Sequence, residues 1–197
     1  MLKNFYSRAL PILMATLFFT SASAESFKVN GVNYSTVESY PGYEKAVVMT
    51  SCDDTISHLK IPQSVNGYTV VGINNGACYK MTKLAKVTLP ATIGSISASA
   101  FAQCSNLAEI NLPPAINFIG DEAFDYSGLT SVEFTSEGVV SIRPKAFHRC
   151  KNLKSVKLPK LLPAISNSLF ENCTSLQSIT IPETVTSIGD AAFFKCI

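Results

Sequence analysis

The stretch ISASAFAQCSNLAEINL (Ile96–Leu112) decides how this chain is read, because it returns at a fixed step. Phe101, Phe124, Phe147, Phe170 and Phe193 stand 23 residues apart, and so do Ile73, Ile96, Ile119, Ile142, Ile165 and Ile188. A period of about 20–50 residues marks stacked repeats, in which one unit is too small to bury its own apolar face and is stable only against its neighbours.

Six segments carry an L-x-x-V-x-L spacing: Ile56-Leu59-Ile61, Leu84-Val87-Leu89, Leu107-Ile110-Leu112, Leu129-Val132-Phe134, Leu153-Val156-Leu158 and Leu176-Ile179-Ile181. The last two apolar positions are two apart, as on one face of a strand. Pro62, Pro90, Pro113, Pro159 and Pro182 follow five of the six. Proline has no N–H for a ladder, so it stops the strand and turns the chain. An apolar pair such as Val185 and Ile188 then predicts a second short extended piece, and A-F-x-x-C-x-x-L predicts a single helical or 3-10 turn. The first repeat is longer, with Gly67-Tyr68-Thr69-Val70-Val71 predicting a hairpin lip. The repeat after Phe124 loses a residue before Leu129, regains it at Glu137-Gly138, and has Thr135 where proline is expected.

Residues 25–55 do not fit the period. Asn30-Gly31 between Phe27, Val29, Val32 and Tyr34 predicts a two-residue hairpin turn, and Lys45 to Met49 predicts a strand. This lead-in is expected to be an N-terminal β-hairpin cap over the first coil, since solenoids need their ends covered. Residues 1–24 read as a secretory signal peptide: Lys3 and Arg8, then the apolar run Ala9 to Thr20, then Ala22-Ser23-Ala24 as a cleavage signal. The run is short for a bilayer span, and no second one is long enough. The expected location is therefore secreted or cell surface, with cleavage after Ala24 and no membrane span thereafter.

The chain has 16 basic and 14 acidic residues; two of the basic ones lie in the signal, so the remainder carries 14 of each. That balance argues against nucleic acid or another polyanion as the main partner.

The unit A-F-x-x-C-x-x-L-x-x-I-x-L-P-x-x-V-x-x-I-G resembles the BspA-like leucine-rich repeats of secreted and cell-surface proteins. Ala100, Phe101, Cys104, Leu107, Ile110, Leu112, Pro113, Ile116, Ile119 and Gly120 match it in one coil. The resemblance covers residues 56–197, and the preceding hairpin is similar to the family's lead-in. It implies a leucine-rich-repeat solenoid, a right-handed superhelix rich in β, with about six 23-residue coils and a parallel strand sheet on one face. It also implies attachment to a protein ligand, on a host matrix or another cell. No binding residue carries over, because the motif positions are core positions.

Stacked strands about 4.8 Å apart would form a slab roughly 25–30 Å long. Its outward residues are the expected ligand face: Lys86, Thr88, Glu109, Asn111, Ser131, Glu133, Ser155, Lys157, Ser178 and Thr180. Cys104, Cys150, Cys173 and Cys196 share one repeat position with Met81 and Ser127, which predicts a ladder of free buried thiols rather than bridges, because in-register side chains point the same way. Cys52 and Cys78 are off that ladder, and a bridge between them stays open. No C-x-x-C pair and no ladder histidine suggest a metal, and no cofactor is expected. His58 and His148 are expected on the solvated surface, with no catalytic constellation around either. A second expectation is self-association through the apolar end at Cys196-Ile197, which would expose a sheet edge.

Overall fold

The computed structural model describes residues 24–138 and 140–196. The signal-peptide reading therefore lies, apart from Ala24, outside the described residues.

The lead-in is a three-stranded meander. Strands β1 (Ser26–Val29) and β2 (Val32–Val37) form an antiparallel hairpin. Its turn is Asn30-Gly31, at φ 50 and 79, the positive values that a two-residue hairpin turn demands. Strand β3 (Ala46–Cys52) pairs antiparallel with β2 across a bulge at Asn33/Tyr34. The chain then makes its first short outer strand, β4 (His58–Lys60), and the hairpin β5 (Ser64–Val65) and β6 (Tyr68–Ile73) around Asn66-Gly67. That hairpin is the predicted lip. Strand β6 runs parallel to β3 across a register shift at Val47/Val48, so the meander joins the edge of the solenoid. Its Val32, Tyr34, Val47 and Met49 belong to the same core cluster as the repeats.

From here each coil adds two short parallel rungs. The outer ladder is β4, β7 (Lys86–Thr88) and β9 (Glu109–Ile110), then, beyond a lone bridge from Leu112 to Phe134, β11 (Ser131–Glu133) and β13 (Ser155–Lys157). The second ladder runs β3-β6-β8-β10-β12 through β8 (Ser95–Ile96), β10 (Phe118–Ile119) and β12 (Ser141–Ile142). It resumes as β14 (Ala164–Ile165) with β15 (Ser187–Ile188).

The third wall is the A-F-x-x-C segment. Among the described residues it is a run of single turns closed by i→i−3 bonds, such as Ala100 N to Ser97 O at 3.3 Å and Ala102 N to Ser99 O at 3.1 Å, the 3-10 form of the expected turn, not continued into a helix. Alternate amides turn away from their own coil: Ser99, Phe101 and Gln103 donate to the carbonyls of Asp121, Ala123 and Asp125 in the next one, at 2.9, 2.8 and 2.7 Å. Two residues per coil adopt positive φ to allow this, both non-glycine in every coil after the first, among them Ser99 (53) and Gln103 (61), Glu122 (56) and Tyr126 (57). Such backbone is unfavourable for L-residues, and the inter-coil bonds hold it.

One continuous core fills the tube from Val32 to Ala192. At its centre the phenylalanine rings stack face to face, 5.5 Å between Phe101 and Phe124, 5.3 Å on to Phe147, and 5.7 Å on to Phe170 and again to Phe193. The planes tilt by only 3–14°, as the fixed coil step requires.

The sixth outer segment departs from expectation. Residues 177–181 form no strand, and Ile179 and Ile181 are only part-buried, so the outer slab has five rungs, not six, among the described residues. The rungs part beside β13, where an open cleft of about 510 Å³ lies between Val156-Lys157-Leu158 and Thr180-Pro182-Glu183-Thr184.

Candidate binding interface

Each outer rung alternates exposed, buried, exposed: Lys86-Val87-Thr88, Ser131-Val132-Glu133 and Ser155-Val156-Lys157. The pleat sends the central residue into the core and its neighbours to solvent. All ten residues of the expected ligand face are exposed. Eight of them, Lys86 to Lys157, flank the paired rungs; Ser178 and Thr180 lie on the unpaired sixth segment.

The charges of this face are not scattered. Lys86 Nζ meets Glu109 Oε2 at 2.6 Å, and Lys157 Nζ meets Glu133 Oε1 at 2.6 Å, each pair spanning adjacent rungs. The hydrogen bond from Lys86 holds the Glu109 carboxyl below its ordinary range. Exposed pairs like these contribute little to stability; they fix where opposite charges sit on an otherwise hydroxyl-rich sheet. Asn111 has a different occupation. Its Oδ1 accepts from Leu89 N at 2.7 Å and its Nδ2 donates to Leu89 O at 2.9 Å. The side chain extends the ladder where β9 stops short.

The thiols are structural. All six cysteines are free. The ladder sulfurs donate to the carbonyl 26 residues earlier in the coil below: Cys104 to Cys78 O at 2.9 Å, Cys150 to Phe124 O at 3.1 Å, Cys173 to Phe147 O at 3.1 Å and Cys196 to Phe170 O at 3.2 Å. Burial pushes Cys104 and Cys150 up to about 12, and raises Cys173. Cys52 and Cys78 face each other, Sγ to Sγ 3.3 Å, with Met81 Sδ 3.2 Å from Cys52. The hydrogen bond between the two thiols lowers Cys52 and raises Cys78.

These shifts predict the order of alkylation. Only a thiolate attacks. At pH 8 a thiol at about 12 is ionised roughly once in ten thousand molecules. Iodoacetamide on the native protein is expected to label Cys52 first, and Cys104, Cys150 and Cys173 only after denaturation. Rapid native labelling of the three, read by peptide mass spectrometry, would contradict their burial. The pH sign follows: a buried thiol raised above its unfolded value stabilises the fold below about 9, and that contribution is lost as pH climbs toward about 12.

His58 is exposed as expected, but His148 is not: it is buried, with Asp125. The two share one repeat column with Glu171, at steps of 23. Arg149 Nε donates to His148 Nδ1 at 3.2 Å and Arg149 Nη2 to Asp125 Oδ2 at 3.3 Å. Asp125 Oδ1 lies 2.9 Å from His148 Nδ1 yet has no hydrogen bond. His148 Nε2 faces Glu171 Oε2 at 4.0 Å. The second imidazole nitrogen thus meets a carboxylate, not a hydroxyl or thiol that it could activate. The surface expectation failed because a histidine beside the core phenylalanine was judged alone; the column Asp125, His148, Glu171 was the signal.

The family pattern "BspA type Leucine rich repeat region" matches residues 71–197 in six copies. The chain belongs to that family. Among solved structures, this leucine-rich-repeat solenoid is similar to a leucine-rich repeat protein of Bacteroides ovatus, with 25% identity over 85% of this chain and 50% of that one and a TM-score of 0.65. It is also similar in fold to a leucine-rich cell surface protein of Faecalibacterium prausnitzii, with 23% identity over 87% and 46% and a TM-score of 0.74. The pneumococcal vaccine antigen PcpA shares the fold at 18% identity over 87% and 48%, TM-score 0.67. The chain spans about half the length of these three. No curated protein matches it. No helix among the described residues is long and apolar enough to cross a membrane.

Proposed function

We propose that this leucine-rich-repeat chain acts at the outside of a cell, secreted or held at its surface, and binds another protein through its outer strand ladder. The observation that carries the reading is the exposed ladder itself, where polar side chains stand in two rows on a rigid stack, with ion pairs Lys86–Glu109 and Glu133–Lys157 spaced along it. A broad, shallow, mixed-charge surface suits a protein partner better than a small molecule, which needs a deep concave site. The similarity to a leucine-rich cell surface protein supports the location. Adhesion to host matrix or to neighbouring cells is the form this binding takes, and residues 25–55 and 56–197 act as lead-in and binding repeats after removal of residues 1–24.

The test is capture. The purified protein is cross-linked to a panel of extracellular matrix proteins and to the surface proteins of its producer. A partner found this way is expected to bind Glu109→Lys/Glu133→Lys/Lys157→Glu at least about tenfold more weakly, since reversed charges oppose the encounter and the docked state. A variant that folds normally and binds as tightly as the parent would remove the ladder from the interface.

A further inference from the structure

Charge is segregated around the coil in a way the balanced total conceals. Between the core phenylalanine position and the outer strand, residues 80–85, 103–108, 126–130, 149–154, 172–177 and 195–196 contain Lys80, Lys83, Arg149, Lys151, Lys154 and Lys195, and no Asp or Glu. The remaining positions from 78 to 196 hold five cations and nine acids. The coils stack in phase, so this arc is one continuous ridge beside the strand ladder. All six cations are exposed. Arg149 reaches Asp125, whereas the five lysines make no ion pair among the described residues. Four of the six are backed by an aromatic face: Lys80 lies 5.0 Å from the Tyr79 ring centre, Arg149 and Lys151 lie 5.9 and 5.8 Å from that of Tyr126, and Lys195 lies 5.2 Å from that of Phe194.

We propose that this ridge binds an acidic polysaccharide, one bearing sulfate or carboxylate groups along an extended chain. The cations form clusters at Lys80/Lys83 and Arg149/Lys151/Lys154, three coils or roughly 14 Å apart at the strand spacing. The coils between carry hydroxyls and amides instead, such as Ser105, Asn106 and Thr130. A polysaccharide with anionic groups separated by hydroxyl-rich stretches matches that order. A nucleic acid strand is charged at every unit and would leave the two uncharged coils opposite phosphates. The clefts lined by Val156 to Thr184 and by Val29 to Pro62 open on the strand side, not here. The aromatic backing holds the cations in place, so less side-chain freedom is lost on binding. This surface is separate from the strand ladder, and each can fail without the other.

The test is titration of the purified protein with heparin in about 50 mM NaCl, repeated at rising salt, with polyglutamate and single-stranded DNA as parallel arms. Heparin is expected to bind, with affinity falling steeply as salt increases, because each ionic contact releases counterions. Lys80→Gln/Lys83→Gln/Lys151→Gln/Lys154→Gln is expected to lose at least about tenfold, and Lys86→Gln/Lys157→Gln to stay within about twofold, by the same ionic argument. Arg149 is left intact because it holds Asp125. No heparin binding, an unaffected quadruple variant with normal circular dichroism, an equal loss in the ladder variant, or tighter binding of DNA or polyglutamate would each overturn the assignment.

Discussion

Phe147→Ala is expected to destabilise the protein by about 4–5 kcal/mol, at the upper end for loss of a buried aromatic side chain. Phe147 is fully buried and lies in the middle of the stack. Its ring faces Phe124 at 5.3 Å and Phe170 at 5.7 Å, and meets Phe134 edge-on at 6.4 Å and 90°. Truncation therefore removes three ring contacts and leaves a cavity that neighbouring coils cannot close, because the inter-coil hydrogen bonds of Phe147 and Phe124, at 3.1 and 2.8 Å, fix the coil step. Thermal midpoint is expected to fall by about 8–20 °C, using 2–4 °C per kcal/mol for a chain of this size. Phe193→Ala should cost far less, since that ring is only part-buried and stacks on a single partner. The two variants also differ in cooperativity. A solenoid transmits stability only between neighbouring coils, so weakening the central coil is expected to split denaturant unfolding into two steps, while Phe193→Ala keeps one. Equal losses from the two variants would mean that the phenylalanine column is not the axis of the fold.

The architecture was legible because the residues that make it recur. Phe101 to Phe193 and Ile73 to Ile188 mark coil length and both inward faces, and the deletion before Leu129 could be placed from the period alone. The turn wall was legible as a single helical or 3-10 turn, and its i→i−3 bonds take the 3-10 form; that the alternate amides bond the next coil was not legible, because sequence periodicity does not say where an N–H points. The sixth strand was expected from Leu176-Ile179-Ile181, yet pairing depends on how neighbouring backbones approach, and there they part. The face was legible as a row of outward positions, and its pairing was not. Lys86 and Glu109 are 23 residues apart, so a cross-rung ion pair could have been read from the alignment of repeats. The use of Asn111 on Leu89 could not, because a side chain replacing a strand's missing hydrogen bonds leaves no pattern in sequence. The basic ridge was missed because charge was counted by chain rather than by column.

Gly128→Ala is expected to cost about 2–4 kcal/mol, the range of severe overpacking against atoms that cannot yield. This is where the coil after Phe124 is one residue shorter than its neighbours. The shortened turn brings Gly128 against the coil below: its amide donates to Cys104 O at 3.2 Å, and a Cβ there would sit 2.3 Å from Ser105 O and 3.1 Å from Ser105 C. Those are backbone atoms of a neighbouring coil, so relief requires the coils to separate. Separation would lengthen the neighbouring contacts, including the Ser127 Oγ to Cys150 Sγ approach of 3.3 Å and the Leu129 packing beyond it. Gly138, where the missing residue is regained, is the control. Its nearest non-neighbour atom, Ser136 Oγ, would lie 3.9 Å from an added Cβ, and its amide bond to Ser136 Oγ survives substitution. Gly138→Ala is expected to be neutral or to stabilise by up to about 1 kcal/mol through lower unfolded-state entropy. Urea denaturation of both variants decides the matter: the two glycines repair the same register, and only the one pressed against a neighbouring backbone should be indispensable. If Gly128→Ala unfolds at the parent's urea midpoint, the tight approach between coils at the deletion is wrong.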